Sequence, residues 1–405
     1  MGIPEFTQDG ASETHFVLAK HCSIIFYMRV ILPFSSFSSR IDTFKVQCLR
    51  TRMSIVLAIC CSLAIARAHA VLVQPDNKPG MPARSVSPSY KIDDLGEFEP
   101  IADDVNVSLN SDGTVAYWTR KTDGTVHAAL WSGGQTSNIE DVPGYPNTVA
   151  HAINRHGDIA GWMNTSKNPV DSQSTTQGFV RRGGIIQKFP GLGGRDSRVF
   201  NLNDRGIAVG AATVADGARH AFMISGSGIS DLGALPSGKS SAAYAINNSG
   251  VIVGAADVEG KANHAVLWKH GKIMDIGTLP HGFSSSARAI NDRGQIAGFG
   301  GTPDGVHAFI YTDGTMQDLG TLGNDPSEAS GINNHGDVVG ASNISATRRH
   351  PFLWTDGKMT DLNALQPKGS PWILSNAFSI NDRGQIVCIG HTKDKPLHLL
   401  LLTPV

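Results

Sequence analysis

Short apolar runs alternate with polar turn sequences along most of the chain, with a turn about every ten residues. In the unit 284–322, for example, turns at 291–294 and 313–314 separate runs that are too short for a helix. Asn or Asp opens these turns and Gly takes the position that requires a positive φ angle, as in β-hairpins. The pattern predicts four short antiparallel strands in each unit.

The unit recurs seven times and carries the motif Asn-x-x-Gly-x-Ile/Val-x-Gly. Clear copies begin at Asn154, Asn247, Asn291 and Asn333, and looser copies begin at Asn110, Asn203 and Asn381. Successive motif asparagines lie 42 to 49 residues apart. Repetition of a four-stranded unit at this period is typical of the blades of a β-propeller.

The two ends of the array complement each other. A fourth-strand element of the Asp-Leu-Gly type ends most units, and a surplus copy at Asp94 precedes the first motif. The last unit has only three predicted strands before Val405. We therefore predict an all-β fold over 91–405, a seven-bladed β-propeller of four-stranded antiparallel blades. An N-terminal strand completes the last blade and removes two exposed sheet edges.

Three segments are predicted to precede the propeller. Residues 53–70 follow two arginines, contain an apolar stretch of about twelve residues and end in Ala-His-Ala. These features predict a secretory signal peptide rather than a membrane span. Residues 1–52 lack the repeat and are predicted to be an over-extended start or a cloning remnant. Residues 71–90, rich in Pro and Ser, are predicted to be a flexible linker. We expect a secreted protein, extracellular or periplasmic, without a membrane span in the mature chain.

The net charge and the cysteine content limit which classes of partner, disulfide and metal site the sequence predicts. A net charge of −1 provides no basic field for nucleic acid. Only Cys388 lies within the repeats, so no disulfide inside the propeller and no zinc-type cysteine pair is predicted. We expect a monomer without cofactor or metal. The sequence also lacks the motifs of nucleophilic, metal-dependent or phosphate-binding catalysis, which favours a non-enzymatic role.

The third predicted strand carries the tripeptide His-Ala-Phe at 220–222 and 307–309, with variants at 127, 264 and 350. Asp-Leu-Gly-Thr-Leu at 318–322 and Ala-Ile-Asn-Asp-Arg-Gly-Gln-Ile at 289–296 accompany it. In these features the chain resembles the HAF repeat family over approximately 91–405. The resemblance implies an extracellular bacterial repeat protein, and it brings no catalytic residue with it.

In four units the third-strand histidine is followed eleven residues later by an aspartate. Across a hairpin these positions lie roughly opposite or diagonal, within reach of each other, so we predict hydrogen-bonded pairs that stabilise each blade. A shared metal site is disfavoured because the histidines lie on separate blades. The predicted pairs are His220–Asp231, His264–Asp275, His307–Asp318 and His350–Asp361.

The position three residues before each motif asparagine differs between units, whereas its neighbours are uniform. Since the first strand of a blade is innermost, these side chains should surround one mouth of the central channel. Aromatic and Arg side chains are enriched at recognition sites; packing at blade junctions is the alternative. The candidate binding residues are His151, Phe200, Tyr244, Arg288 and Phe378, with Trp372 from a longer insertion.

We therefore predict a secreted, non-enzymatic binding module that presents one propeller face to a protein or glycan. Two alternatives stay open: a hydrolase or lyase of extracellular polysaccharide with its site at the channel mouth, and a structural component of the cell envelope. Two carboxylates roughly 5–10 Å apart in a deep central pocket would favour the hydrolase. A flat or hydrophobic-rimmed face would favour the binding module.

Overall fold

The computed structural model describes residues 89–101, 106–171, 174–258 and 262–405. The predicted segments 1–52 and 53–70, and nearly all of 71–90, lie outside this part of the chain. Among the described residues, no helix has the length and apolar character needed to cross a membrane. Within the described ranges, one 3-10 turn, Leu362–Leu365, accompanies the strands.

Seven four-stranded antiparallel sheets form the blades of a β-propeller, which confirms the predicted fold class. Blade 1 contains β2 (Ser108–Leu109), β3 (Val115–Arg120), β4 (Val126–Ser132) and β5 (Gln135–Asn138). Blade 2 contains β6 (Asn147–Ile153), β7 (Ile159–Asn164), β8 (Thr176–Arg182) and β9 (Ile185–Phe189). Blade 3 contains β10 (Gly193–Leu202), β11 (Ala208–Val214), β12 (Arg219–Ser225) and β13 (Gly228–Gly233). Blade 4 contains β14 (Ser241–Ile246), β15 (Ile252–Val258), β16 (Ala262–Lys269) and β17 (Lys272–Asp275). Blade 5 contains β18 (Ser285–Ile290), β19 (Ile296–Gly301), β20 (Val306–Thr312) and β21 (Thr315–Asp318). Blade 6 contains β22 (Asn324–Ile332), β23 (Val338–Ser345), β24 (Arg348–Thr355) and β25 (Lys358–Asp361). Blade 7 contains β26 (Ile373–Ile380), β27 (Ile386–His391), β28 (His398–Pro404) and β1 (Tyr90–Glu97).

Blade 7 joins the two ends of the propeller. Strand β1 pairs antiparallel with β28, from Tyr90 opposite Pro404 to Glu97 opposite His398. This confirms the predicted closure by an N-terminal strand. The strand begins one residue before the predicted boundary, because Tyr90 is buried and packs in the core of blade 7. Pairing of β1 with β28 satisfies backbone groups that would otherwise be exposed edges.

The core lies between adjacent blades rather than in one central mass. One cluster, for example, joins Val253 and Leu267 of blade 4 to Phe309 of blade 5. The Ala and Phe of each His-Ala-Phe sequence point to opposite faces of the sheet. Both are fully buried, as at Ala308 and Phe309, because each blade is covered by a neighbour on both faces. The repeated tripeptide therefore supplies the packing between blades.

The motif asparagine organises the turn between the first and second strands. In blade 4 the side-chain oxygen of Asn247 accepts hydrogen bonds from the backbone N–H groups of Ser249 and Val251, at 3.1 and 2.9 Å. Its side-chain Nδ2 donates to the backbone carbonyl of Asn291 in the next blade, at 3.1 Å. Asn247 is buried. One residue thus shapes its own turn and binds the neighbouring blade.

The same bond between blades recurs around the whole propeller. Each motif asparagine donates to the carbonyl of the next, over 2.9 to 3.3 Å. The last of them, Asn381, donates to Asn110 at 3.0 Å and closes the circle. We call these seven residues the asparagine ring: Asn110, Asn154, Asn203, Asn247, Asn291, Asn333 and Asn381.

Replacing an asparagine of this ring should destabilise the fold strongly. The variant Asn247→Ala loses two accepted bonds and one donated bond in a buried site, each worth about 1 kcal/mol. We therefore expect the free energy of unfolding to fall by about 3 kcal/mol, measured by urea denaturation. Asn138→Ala, at an exposed strand position, is the matched control and should change it by less than about 0.5 kcal/mol. Equal effects of the two substitutions would contradict the role of the ring.

Candidate functional site

A β-bulge displays the unrepeated side chain in six blades. The pairing of the first and second strands shifts register around this position; in blade 4, for example, Ala243 and Ala245 pair with the second strand and Tyr244 between them does not. Bulges bend a strand and redirect a side chain. The bulge residues of blades 2 to 7 are His151, Phe200, Tyr244, Arg288, Ser330 and Phe378.

The second glycine of the motif makes room for this bulge. A Cβ atom on Gly254 would lie 1.9 Å from the carbonyl oxygen of Ala242 on the first strand. The equivalent distances at Gly161, Gly210, Gly298 and Gly340 are 1.9 to 2.1 Å. In blade 7 the place is taken by Cys388, which is fully buried, and burial raises the pKa of its thiol. The repeated glycine therefore accompanies the bulge in blades 2 to 6, whereas blade 7 forms its bulge opposite Cys388 with an additional register shift between Leu374 and Asn376.

The first strands surround a cavity of about 600 Å³, whose opening we call the variable mouth. Four of the predicted binding residues, Phe200, Tyr244, Arg288 and Phe378, line it. Its lining is Asn106, Val107, Phe200, Tyr244, Arg288, Phe299, Glu328, Ala329, Ser330, Arg349, Ser375, Asn376, Phe378 and Ile389. The bulges thus bring together, in one concave site, residues that are far apart in the sequence.

One wall of the variable mouth is aromatic and cationic. The rings of Phe200 and Tyr244 have centroids 5.5 Å apart. The guanidinium carbon of Arg288 lies 4.2 Å from the centroid of the Tyr244 ring and 5.1 Å from that of Phe299. Such cation–π contacts fix the orientation of the guanidinium plane. This wall extends across blades 3 to 5.

The opposite wall is polar. Nη2 of Arg349 donates to Oε2 of Glu328 at 2.6 Å. Two buried atoms of this wall, Nε of Arg349 and Oδ1 of Asn376, have no hydrogen-bond partner among the described residues. Serine hydroxyls from Ser330 and Ser375 also line it. The wall therefore offers donors and acceptors that the protein itself does not fully use.

His151 is placed behind the cavity wall rather than in the cavity. It is 3% exposed, and its ring stacks on Phe200 with centroids 5.8 Å apart. Nδ1 lies 3.1 Å from the carbonyl oxygen of Val199, and Nε2 accepts from the indole N–H of Trp162 at 3.2 Å. Both ring nitrogens are used, so His151 supports Phe200 and does not present a group to a ligand. This corrects its predicted place: His151 does not line the variable mouth.

Trp372 lies at the outer edge of blade 7 and not at the channel. Its ring centroid is 5.5 Å from that of His398 on the third strand, and Lys395 Nζ lies 5.3 Å from it. Both neighbours are hydrogen-bonded to Asp94 of β1, the outermost strand. The insertion that contains Trp372 thus covers the closure of the propeller, which corrects its predicted place at the channel mouth.

The other end of the channel is lined by repeated residues and is called the asparagine mouth. Its cavity of about 420 Å³ is bounded by the asparagine ring and by the residues before and after each member. Along the first strand this end lies roughly 10 Å from the bulge residue. Here Asn248 Nδ2 donates to both Asp204 and Asp292, at 2.9 and 3.0 Å. The polar groups of this mouth mainly bind one another.

The two mouths differ in charge. The variable mouth contains Arg288 and Arg349 with the carboxylate of Glu328. The asparagine mouth contains Asp204, Asp292 and Asp382 with the guanidinium of Arg155. The channel therefore has a cationic excess at one end and an anionic excess at the other.

The four predicted histidine–aspartate pairs are hydrogen-bonded on the blades, away from the channel. Nδ1 of the histidine lies 2.9, 2.8, 2.7 and 2.7 Å from the carboxylate in blades 3 to 6. A fifth pair joins the chain ends, His398 with Asp94 at 2.7 Å. In blade 1, Nδ1 of His127 lies 2.8 Å from Asp141, but out of line for a hydrogen bond. Blade 2 instead has Gln177 bonded to the Tyr145 hydroxyl.

His307 has a carboxylate on each side of its ring. Nδ1 bonds to Asp318 at 2.7 Å and Nε2 to Asp325 at 2.8 Å. Burial opposes protonation, but the bonds and charges of Asp318, and then of Asp325, outweigh it and raise the pKa of His307. No group of three or more His, Cys, Asp or Glu residues suited to a metal occurs in the described ranges. These pairs are arranged as contacts between strands and loops.

Several cavity residues were not predicted from sequence. Phe299 and Ile389 occupy the position after the second motif glycine or its equivalent, which also varies between units: Trp118, Trp162, Ala211, Ala255, Phe299, Ala341 and Ile389. The variation of this position between units is the sequence feature that indicates its place in the cavity lining. Glu328 and Arg349 have no such signal, since their side chains meet across β23, from β22 to β24. The pair His398–Asp94 is implied by the predicted closure, because the closure places the strand of Asp94 beside the strand of His398.

Comparisons with known proteins add no family. The chain matches no protein-family model, and no curated protein matches it significantly. Solved structures with a similar arrangement include TolB from Acinetobacter baumannii, at 13% identity and a TM-score of 0.38, with 52% of each chain covered. The chain thus spans about half the length of that protein.

For two further solved structures the match covers a larger share of both chains. One is the β-propeller domain of the Trilobed protease from Pyrococcus furiosus, with 10% identity, a TM-score of 0.48, and 74% of this chain and 96% of that chain covered. The other is YCF48 bound to D1 peptide, with 12% identity, a TM-score of 0.47, and 80% and 97% covered. Likenesses of this extent carry no information about the ligand or activity of this chain.

The stabilisation contributed by His307 should depend on pH. Because its pKa in the folded protein lies above the unfolded value of about 6.5, the contribution is complete below about pH 6.5 and is lost as the pH rises through the folded-state pKa. His307→Gln should therefore destabilise more at about pH 5.5 than at about pH 9, by about 1 kcal/mol for a partly exposed pair. His335→Gln, at an exposed turn, is the control and should show no such difference. An equal cost of His307→Gln at both pH values would contradict the pairing.

Proposed function

We propose that this propeller is a non-enzymatic binding module whose ligand, a protein or a glycan, enters the variable mouth. The observation that supports this most directly is the contrast between the two mouths. At the asparagine mouth two of the three lining positions of each blade, the asparagine and the Leu or Ile before it, repeat from blade to blade, as a scaffold requires. At the variable mouth the bulge residues differ in nearly every blade, although the same backbone displays them.

The chemistry of the variable mouth supports a recognition role. A cavity of about 600 Å³ falls in the range of ordinary ligand pockets, roughly 300–1,000 Å³. Aromatic and Arg side chains such as Tyr244 and Arg288 form its wall, and these types dominate recognition sites. They are held by stacking contacts, so little conformational entropy is lost on binding.

Secretion and membership of the HAF repeat family are part of the same proposal. The signal-like segment 53–70 supports secretion, and the recurring His-Ala-Phe and Asp-Leu-Gly sequences support the family. An extracellular or periplasmic propeller would meet its ligand without a membrane span of its own.

Removing an aromatic side chain from the variable mouth should weaken binding. Tyr244→Ala removes the surface between Phe200 and Arg288, and we expect an affinity loss of at least about tenfold, or 1.4 kcal/mol. Ligands would be taken from glycan and peptide arrays, and affinity measured by calorimetric titration. Trp372→Ala, at the outer edge of blade 7, is the control and should leave affinity unchanged. The reverse result, with loss only in Trp372→Ala, would place the binding site elsewhere.

A polysaccharide hydrolase is a second candidate, favoured by one observation. Asp204 and Asp292 both accept from the single nitrogen Nδ2 of Asn248, at 2.9 and 3.0 Å. Their carboxylates are therefore compatible with the roughly 5–5.5 Å separation of retaining glycosidases. Against this, Oδ1 of each accepts a backbone N–H of the preceding blade, from Arg155 and Asn248. The two carboxylates are thus used in joining turns.

The double variant Asp204→Asn, Asp292→Asn tests this candidate. If the two carboxylates are only structural, reducing-sugar release from a panel of polysaccharides should be at background for both the wild-type protein and the variant. Hydrolysis by the wild-type protein that falls at least about 100-fold in the double variant would instead establish a glycosidase. The single variant Asp382→Asn, in the same mouth, is the matched control for folding and charge.

A further inference from the structure

We propose that the ligand of the variable mouth carries a carboxylate that binds to Arg288, and that this ligand is an acidic glycan containing hexuronate residues. The inference rests on the proposed function and specifies its ligand. It is carried by a half-buried guanidinium that two aromatic rings hold at the mouth without any acidic partner from the protein.

Arg288 is unusual in having no partner for its donors. It is half-buried on the bulge of β18. In the described part of the chain it makes no hydrogen bond or ion pair, although its guanidinium is packed between Tyr244 and Phe299 at 4.2 and 5.1 Å. By contrast, Arg349, the other arginine that lines the mouth, is bonded to Glu328 at 2.6 Å.

An unpaired, partly buried charge costs free energy in the absence of ligand. Stacking on Tyr244 and Phe299 offsets part of that cost and holds the guanidinium in one plane. A planar guanidinium with a fixed orientation matches a carboxylate through two parallel N–H···O bonds. The arrangement is therefore prepared for a planar anionic group that arrives with the ligand.

The remaining lining selects among carboxylate ligands. The hydroxyls of Ser330 and Ser375 and the amides of Asn106 and Asn376 line the same cavity as Arg288. These groups both donate and accept, which suits a ring that carries several hydroxyls. Aromatic side chains line the same cavity, and aromatic surface suits the apolar face of the same ring. A hexuronate combines the carboxylate, the hydroxyls and an apolar face in one residue.

The difference in charge between the two mouths also favours the variable mouth for an acidic ligand. Asp204, Asp292 and Asp382 surround the asparagine mouth and would repel a polyanionic chain. An acidic glycan is therefore attracted to one face of the propeller and disfavoured at the other. Because the attraction is partly electrostatic, added salt should weaken binding.

Calorimetric titration of the full chain with defined probes tests the inference. The probes are oligogalacturonate, oligoglucuronate and alginate oligomers, neutral gluco-oligosaccharides of equal length, and a glutamate-rich peptide. We expect at least one uronate to bind, and Arg288→Gln to weaken that binding at least tenfold. Arg288→Lys, which keeps the charge but loses the paired donors, should fall between. Arg293→Gln, in the exposed turn of the same blade, should bind as the wild-type protein does.

Thermal unfolding of each variant separates loss of binding from loss of fold. Binding of neutral oligosaccharides that depends on Tyr244 but not on Arg288 would overturn the inference and leave the proposed function standing. Binding of the acidic peptide alone would overturn it in favour of a protein partner. If no uronate binds while an array ligand does, the inference is likewise wrong. If no ligand of any class binds at the variable mouth, the proposed function fails as well.

Discussion

The structure depends on the bond from each motif asparagine to the next. A propeller blade buries its faces against two neighbours, so apolar packing alone leaves the distance and tilt between blades adjustable. The amide of Asn247, for example, links a buried turn to the carbonyl of Asn291 at 3.1 Å. Repeated seven times and closed from Asn381 to Asn110, this bond joins the turns of adjacent blades around the whole channel. A buried amide left without its partner is costly, which makes the arrangement strongly preferred.

The same motif determines where function can vary. Its second glycine, as at Gly254, lets the carbonyl of Ala242 approach closely and permits the bulge. The bulge residue leaves the strand ladder, and in blades 3 to 5 its side chain lines the variable mouth. Residues such as Tyr244 and Arg288 can therefore differ from blade to blade without loss of the scaffold. A repeated backbone thus produces an asymmetric site.

The outer part of each blade is stabilised by a different kind of contact. The histidine–aspartate pairs join third and fourth strands, where apolar packing is thinner and water is close. The pair His398–Asp94 makes the same contact across the chain ends, 304 residues apart. Lys395 also bonds to Asp94, and together these groups lower the pKa of that carboxyl against the opposing effect of burial. The closure therefore copies an internal blade in its chemistry as well as its topology.

The sequence by itself determined the number of blades, the strand order and the completion of blade 7 by β1, because each depends on local periodicity and on matching chain ends. It also located Phe200, Tyr244, Arg288 and Phe378 at one mouth. Only the tertiary structure decided that Arg288 lacks an acidic partner, that Arg349 has one in Glu328, and that His151 is enclosed. Those facts depend on which side chains meet in space, within a blade or between neighbouring blades, and such distances are not encoded in the period of any single repeat.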